Sequence, residues 1–233
     1  MEQAMKNILI GILFVGIICL SFLYLKASRA PSPQSYFVQS THVFYKRVDR
    51  QLSHLSALFI GDSMVQGLAV SEISKNAINF GIGTDTVSGV RTRLSEYVSV
   101  NKANCLFVHV GINDLLKGHS LQSTIAEFSL LFASLAHHPL VLVGEVLPVT
   151  NTSPKLASIF NDISAFNAIL AAEIEKHDNV ILIPQHDVFL GEGNEMSDLY
   201  HNGDGLHLST SGNLVWINHL KQQLLKYQCE IEM

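Results

Sequence analysis

Five short, mostly apolar runs constrain this chain more than any other feature: Ala57–Ile60, Ala77–Phe80, Cys105–Val110, Leu140–Val146 and Val180–Ile183. A strand that is half exposed alternates apolar and polar residues. These runs do not, so both of their faces are expected to be buried, as in a parallel sheet. Between them lie longer segments with helical spacing, Val87–Val100, Leu121–His137 and Lys155–Lys176, and Leu214–Tyr227 closes the chain. Strand and helix in alternation predict an α/β fold whose sheet is covered by helices on both sides.

Length and charge narrow the class. A chain of 233 residues, 48% hydrophobic, is enough for one sizeable core and cramped for two. The formal net charge is −5, with no basic stripe, so nucleic-acid binding has no electrostatic support. Cys19, Cys105 and Cys229 are few and far apart. They argue against a disulfide framework and against zinc, and Cys105 reads as a small buried hydrophobe. No His, Cys or carboxylate cluster has ligand spacing, so neither metal nor cofactor is expected. The oligomeric state is left open.

The amino terminus differs from the rest. Asn7 to Leu25 carries no charged side chain and is bracketed by Lys6 and Lys26. It is long enough to cross a bilayer as a helix, which takes roughly 17–25 apolar residues. A cleaved signal is the competing reading, with Ser28 and Ala30 as a small-residue cleavage site. Lys and Arg counts alone slightly favour a cytoplasmic catalytic domain. One N-terminal span before a large domain is also the plan of an export anchor, and the exported orientation, periplasmic or extracellular, is expected. Residues 1–30 are thus read as anchor or signal, 31–50 as linker and lead-in, and 51–233 as the catalytic domain; Pro31, Pro33 and the nearby serines suggest the linker.

Ligands of such sheets bind beyond the carboxyl ends of the strands. The short segments just past each strand are therefore the candidates for a site. After the first strand comes Gly61-Asp62-Ser63, after the second Gly81-Ile82-Gly83-Thr84-Asp85, and after the third Gly111-Ile112-Asn113-Asp114. Asp204-Gly205-Leu206-His207 precedes the last helix. A serine hydroxyl becomes a nucleophile when a neighbouring base takes its proton, and histidine suits that task near neutrality. The base needs a third group to fix its tautomer. Ser63, His207 and Asp204 fill those roles. The backbone N–H of Ser63, an N–H from the Gly83-Thr84 turn and the Asn113 amide are candidate oxyanion donors. Alone, each segment has a plainer explanation as a helix cap, a turn or a surface ion pair. Their order and placement together carry the inference. The other histidines, among them His137, His138 and His186, are read as structural or solvated.

These segments, with Asn79-Phe80-Gly81-Ile82-Gly83 and Asp204-Gly205-Leu206-His207-Leu208, resemble the motif blocks of the SGNH (GDSL-like) hydrolases. The second block and the Asp-x-Leu-His tail are most similar to the catalytic subunits of platelet-activating-factor acetylhydrolase and related bacterial esterases. The resemblance covers roughly residues 55–225. It implies a three-layer α/β/α flavodoxin-like fold and a metal-independent ester hydrolase. It also implies Ser63, Asp204 and His207 as triad, and Asn113 as the oxyanion asparagine. Two positions depart from the family pattern. Met64 stands where the first block has leucine, a near-isosteric change. Thr84 stands where the second block has the glycine whose N–H serves the oxyanion, with Gly83 one place early.

Three functions are expected to compete. The first is hydrolysis of small acyl esters, acetyl foremost. The second is acyl transfer or deacetylation on an envelope polysaccharide. The third is a membrane-tethered binding protein on the same fold. Partners on this reading are a small-molecule, glycan or lipid ester and, through Asn7 to Leu25, the membrane. Substrate choice is expected from loops near Val149–Ala157 and Phe189–Tyr200.

Overall fold

A computed structural model describes residues 2–28 and 33–229. The chain divides into two compact units, 1–39 and 40–233. The first holds α1 (Glu2–Ser28), whose window Met5–Phe22 has mean hydropathy 2.2. By length and composition that helix can cross a membrane, a test that a signal sequence passes equally well.

The expected linker is instead largely α2 (Pro33–Asp49). Pro33 occupies its first position, where proline's missing N–H costs nothing and its fixed φ already suits a helix. The part of α2 in the second unit packs on the sheet. Tyr45 stacks on Phe80 with ring centroids 4.9 Å apart, and its hydroxyl donates to Gly81 O at 2.9 Å. At its end the Asp49 carboxylate accepts the N–H groups of Val98 and Ser99.

The second unit is one parallel sheet of β1 (Leu55–Gly61), β2 (Ala77–Gly81), β3 (Ala103–His109), β4 (Val141–Gly144) and β5 (Val180–Ile183), in the order β2-β1-β3-β4-β5. Its helices are α3 (Ser63–Gln66), α4 (Val87–Leu94), α5 (Ile112–Leu116), α6 (Leu121–Ser134), α7 (Pro154–Phe160), α8 (Asp162–Ile174) and α9 (Thr210–Lys226). The two-residue period of a strand sends alternate side chains to opposite faces. Leu58, Ile60, Leu106 and Val108 therefore join one core, with Val90, Phe128 and Phe166 of α4, α6 and α8. Ala57, Phe59, Cys105 and Phe107 join the other, with Val65 of α3 and Trp216 and Leu220 of α9. Truncating a fully buried ring such as Phe107 to Ala costs about 3–5 kcal/mol. Both cores depend on the sheet between them, which makes three layers.

Several boundaries differ from expectation for local reasons. The expected helix over 87–100 stops at Leu94, and Asp49 holds a separate turn at Val98–Lys102. The expected helix over 155–176 is two helices that meet at Asn161. β4 ends before Val146 because the Asn167 amide takes both Val146 backbone groups, at 2.9 Å each. Cys105 is not merely a small hydrophobe: it is disulfide-bonded to Cys229, 124 residues away, and ties the end of the chain to the central strand β3. Cys19 is free and exposed.

The order reverses between β1 and β3, which is where such sheets open a crevice. Registers align Gly61 with both Gly81 and His109, so the segments after β1, β2 and β3 emerge side by side. Gly61 is required there, since a Cβ would lie 2.0 Å from His109 O.

Candidate active site

β1 delivers Ser63 as the first residue of α3, a four-residue helix. Asp62 caps that helix, with Oδ1 accepting Met64 N–H at 3.0 Å. The Ser63 N–H makes no hydrogen bond among the described residues. Across the crevice, the loop before α9 brings up His207. Its Nδ1–H donates to Asp204 Oδ2 at 2.6 Å, which leaves Nε2 to accept the Ser63 hydroxyl at 2.9 Å. Asp204 Oδ1 meanwhile accepts the N–H groups of Leu206 and His207, at 2.9 and 2.8 Å. Burial pushes the Asp204 carboxyl up, but these hydrogen bonds outweigh it and hold it below its ordinary range. It stays ionised, as a group orienting an imidazole must. The loop is fastened to the body by Thr150 N–H to Gly205 O at 2.9 Å. Gly205 has φ +74°, and a Cβ there would lie 1.9 Å from Thr150 Oγ1.

The three expected oxyanion segments sit differently from one another. The Gly83 N–H is already donated to Gln66 Oε1 at 2.8 Å. Thr84 makes no hydrogen bond through its N–H among the described residues, and its φ is +70°. This is the left-handed conformation that glycine takes freely and a β-branched residue resists. Thr84 O accepts Lys117 Nζ at 3.0 Å, and Asp85 N–H closes the turn on Ile82 O at 3.2 Å. Asn113 spends one amide hydrogen on Asp85 O at 3.0 Å and keeps the other. Of the two turn residues named from sequence, the geometry leaves Thr84 as the one with a donor to offer.

Beneath these groups lies a buried cation that the sequence reading passed over. Arg93 of α4 donates to Asp85 Oδ2, Phe80 O and Gly61 O at 2.6, 2.6 and 2.9 Å. The signal for it was present. Val87, Val90 and Leu94 mark the apolar face of α4, and Arg93 falls on that face, where a charge must have a partner. Gln66, also unremarked in the sequence, joins the Ser63 helix to the second turn.

Two buried titratable groups flank the end of β1. Burial raises the Asp62 carboxyl to about 7, with Asp85 and Asp114 adding like charge against the hydrogen bond from Met64. Asp62 Oδ2 has no hydrogen-bond partner among the described residues. Burial lowers His109 to about 4, against hydrogen bonds with Gly144 and Glu145. Its Nδ1 meets Gln185 Nε2 at 3.0 Å, and Gln185 Oε1 accepts Trp216 Nε1–H at 2.9 Å. His138 is buried, with Nδ1 accepting Leu140 N–H at 3.2 Å; His137 lies at the surface, near Asn101.

Fold and site together define an α/β/α hydrolase with a hydroxyl, an imidazole and a carboxylate in line at the carboxyl edge of a 2-1-3-4-5 sheet. Residues 59–215 match the GDSL-like Lipase/Acylhydrolase family, and the chain belongs to it as an SGNH ester hydrolase. Among solved structures it is similar to a Streptococcus pneumonia protein named for platelet activating factor (TM-score 0.74, 20% identity, 90% of this chain and 98% of that one). It is also similar to an acetylxylan esterase from Geobacillus stearothermophilus (TM-score 0.58, 15% identity, 77% and 96% covered). An N-acylneuraminate cytidylyltransferase of Streptococcus agalactiae is 25% identical over 174 residues, which are 73% of this chain. The chain spans 40% of the length of that relative.

Proposed function

We propose that this protein hydrolyses small acyl esters, acetyl esters foremost, through an acyl-serine intermediate on Ser63. His207 takes the hydroxyl proton as Ser63 Oγ attacks the ester carbonyl, then returns it to the departing alcohol. Asp204 fixes the imidazole and stabilises its charged form. The oxyanion is met by the N–H groups of Ser63 and Thr84 and by the free Asn113 amide hydrogen. Water, activated by the same imidazole, releases the acid. The observation that carries this reading is the pair of contacts at His207, 2.9 Å to Ser63 Oγ and 2.6 Å to Asp204 Oδ2. That a similar fold is named an acetylxylan esterase supports an acetyl group carried on a glycan, and with it the related activity of deacetylation or acyl transfer on an envelope polysaccharide. The test is labelling by a fluorophosphonate probe alongside turnover of p-nitrophenyl acetate. Wild type should label and turn over, and Ser63→Ala should do neither. A protein that does neither itself is a binding module on this fold.

We further propose a single-pass anchor with the catalytic unit exported. The apolar window of α1 supports the span. The Cys105–Cys229 disulfide supports the exported side, because disulfides persist where the surroundings are oxidising. Carbonate-resistant membrane association with protease-accessible residues 40–233 is the expected result. A mature N-terminus at Pro31 would make the segment a cleaved signal.

A further inference from the structure

A second concavity opens on the same edge of the sheet, beyond β4 and β5 and against α8. It has a volume of about 450 Å³ and is lined by Glu145, Ser164, Ala168, His186, Val188 and Asn194 among others. A smaller lobe of about 110 Å³ shares Ser164, His186 and Asn194 and reaches Val149. None of these residues takes part in the chemistry at Ser63.

The lining is selective. Glu145 Oε2 is held by the N–H groups of Gln185 and His186, at 2.9 and 3.0 Å, which fixes the carboxylate. Its other oxygen makes no hydrogen bond within the described residues, and the same is true of the Ser164 hydroxyl, the Asn194 amide and His186 Nε2. Between them stand apolar groups, Ala168, Val188, Pro184 and Leu190. An acyl chain placed here would strand those polar atoms without partners. An anion would meet the Glu145 carboxylate. A sugar ring has hydroxyls for the polar atoms and a C–H face for the apolar ones.

Position relates this cleft to the ester site. Val149 lines the smaller lobe, and the next residue, Thr150, donates its N–H to Gly205 O in the loop that carries Asp204 and His207. β4 and β5 stand two and three places from β1 in the sheet. At about 4.8 Å per strand, β4 and β5 lie roughly 10–14 Å across the sheet from β1, the strand that leads to Ser63. A single acetylated sugar at Ser63 does not reach it, and a chain of several sugars does.

We propose that this cleft is a subsite for a distal sugar of an oligosaccharide ester whose acyl group lies at Ser63. The inference rests on the ester-hydrolase reading above and gives it a substrate class. The test compares p-nitrophenyl acetate with O-acetylated xylo-oligosaccharides of one to six units, using the full chain. Wild type should gain in kcat/KM with chain length, then level off once the cleft is filled. Ser164→Tyr, a surface substitution on α8 that fills the cleft, and His186→Ala should each raise KM on the longer oligosaccharides about tenfold, the effect of a lost hydrogen bond or two. Both variants should leave the short substrates and p-nitrophenyl acetate unchanged. Equal kcat/KM at every length, or wild-type KM in both variants, overturns the subsite. Turnover of p-nitrophenyl acetate without any turnover of the oligosaccharides also overturns it while the esterase reading stands. Loss of p-nitrophenyl acetate turnover in wild type sinks that reading itself.

Discussion

Arg93 and Asp85 form a buried ion pair, Nε to Oδ2 at 2.6 Å, with side chains 3% and 4% exposed. The pair reaches every proposed oxyanion donor. Arg93 holds Gly61 O, two residues before Ser63; Asp85 comes directly after Thr84; and Asp85 O accepts from Asn113. Arg93→Met leaves the Asp85 carboxylate buried without its cation, which costs about 3–5 kcal/mol of stability. Arg93→Lys keeps a charge but cannot direct three donors in a plane. It should fold with a lower Tm and lose turnover at nearly constant KM. A folded Arg93→Lys with wild-type kcat would show that the pair serves the fold alone.

The proposed nucleophile and base should fail together. Ser63→Ala and His207→Ala should each lower kcat on p-nitrophenyl acetate by on the order of 10⁴–10⁶, and Asp204→Ala by less. Because the residues act as a unit, the triple variant should be hardly worse than Ser63→Ala. Wild-type turnover by purified Ser63→Ala ends the proposal.

The strands were legible because burial on both faces leaves an unbroken apolar run, and the candidate site because four polar segments each lie just past a strand or just before a helix. What stayed hidden depends on partners distant in sequence. Nothing near Cys105 marks Cys229, since pairing is decided by where α9 ends relative to β3. Asn167 shortens β4 from the far side of the α7–α8 turn. Pro33 reads alike in a linker and at a helix start, because both tolerate a missing N–H. Arg93 was visible as an exception on an apolar face, but its purpose lies in the three groups it holds.

The two buried titratable groups should oppose each other as pH changes. His109 is lowered to about 4, so from there to its ordinary 6.5 the unfolded chain holds the extra proton. Its contribution to stability is full above 6.5 and is lost as pH falls toward 4, a loss on the order of 3 kcal/mol. Asp62 is raised to about 7 from an ordinary 3.8, so in that window the folded chain holds the extra proton. Its contribution is full below 3.8 and is lost as pH rises toward 7. The slopes largely cancel in wild type. Asp62→Asn removes one of them, so its stability relative to wild type should rise steadily from pH 4 to pH 7 in urea titrations. A difference that does not vary with pH would mean that Asp62 is ionised throughout.

Thr84 is the departure from the family pattern, and its geometry sets how it must be tested. At φ +70° a threonine costs about 1–2 kcal/mol more than glycine would. Thr84→Gly should therefore raise Tm and keep kcat within about tenfold, since the N–H remains while the backbone gains freedom. Proline cannot probe this donor, because it fixes φ near −65° and would break the turn. The suitable change is an ester in place of the amide, with the α-hydroxy analogue of threonine introduced at position 84 by semisynthesis. It removes the N–H and leaves φ free. Losing one oxyanion donor costs about 10²–10³ in kcat, or roughly 2.7–4 kcal/mol, and KM should hardly move because the contact is made in the transition state. The same ester at position 83 removes the N–H that Gln66 holds at 2.8 Å. That variant should lose stability but keep most of its turnover, because the Gly83 N–H is already spent on Gln66. If the position-84 ester keeps full kcat, the second turn does not build the oxyanion hole. The Ser63 N–H and the Asn113 amide would then do that work alone.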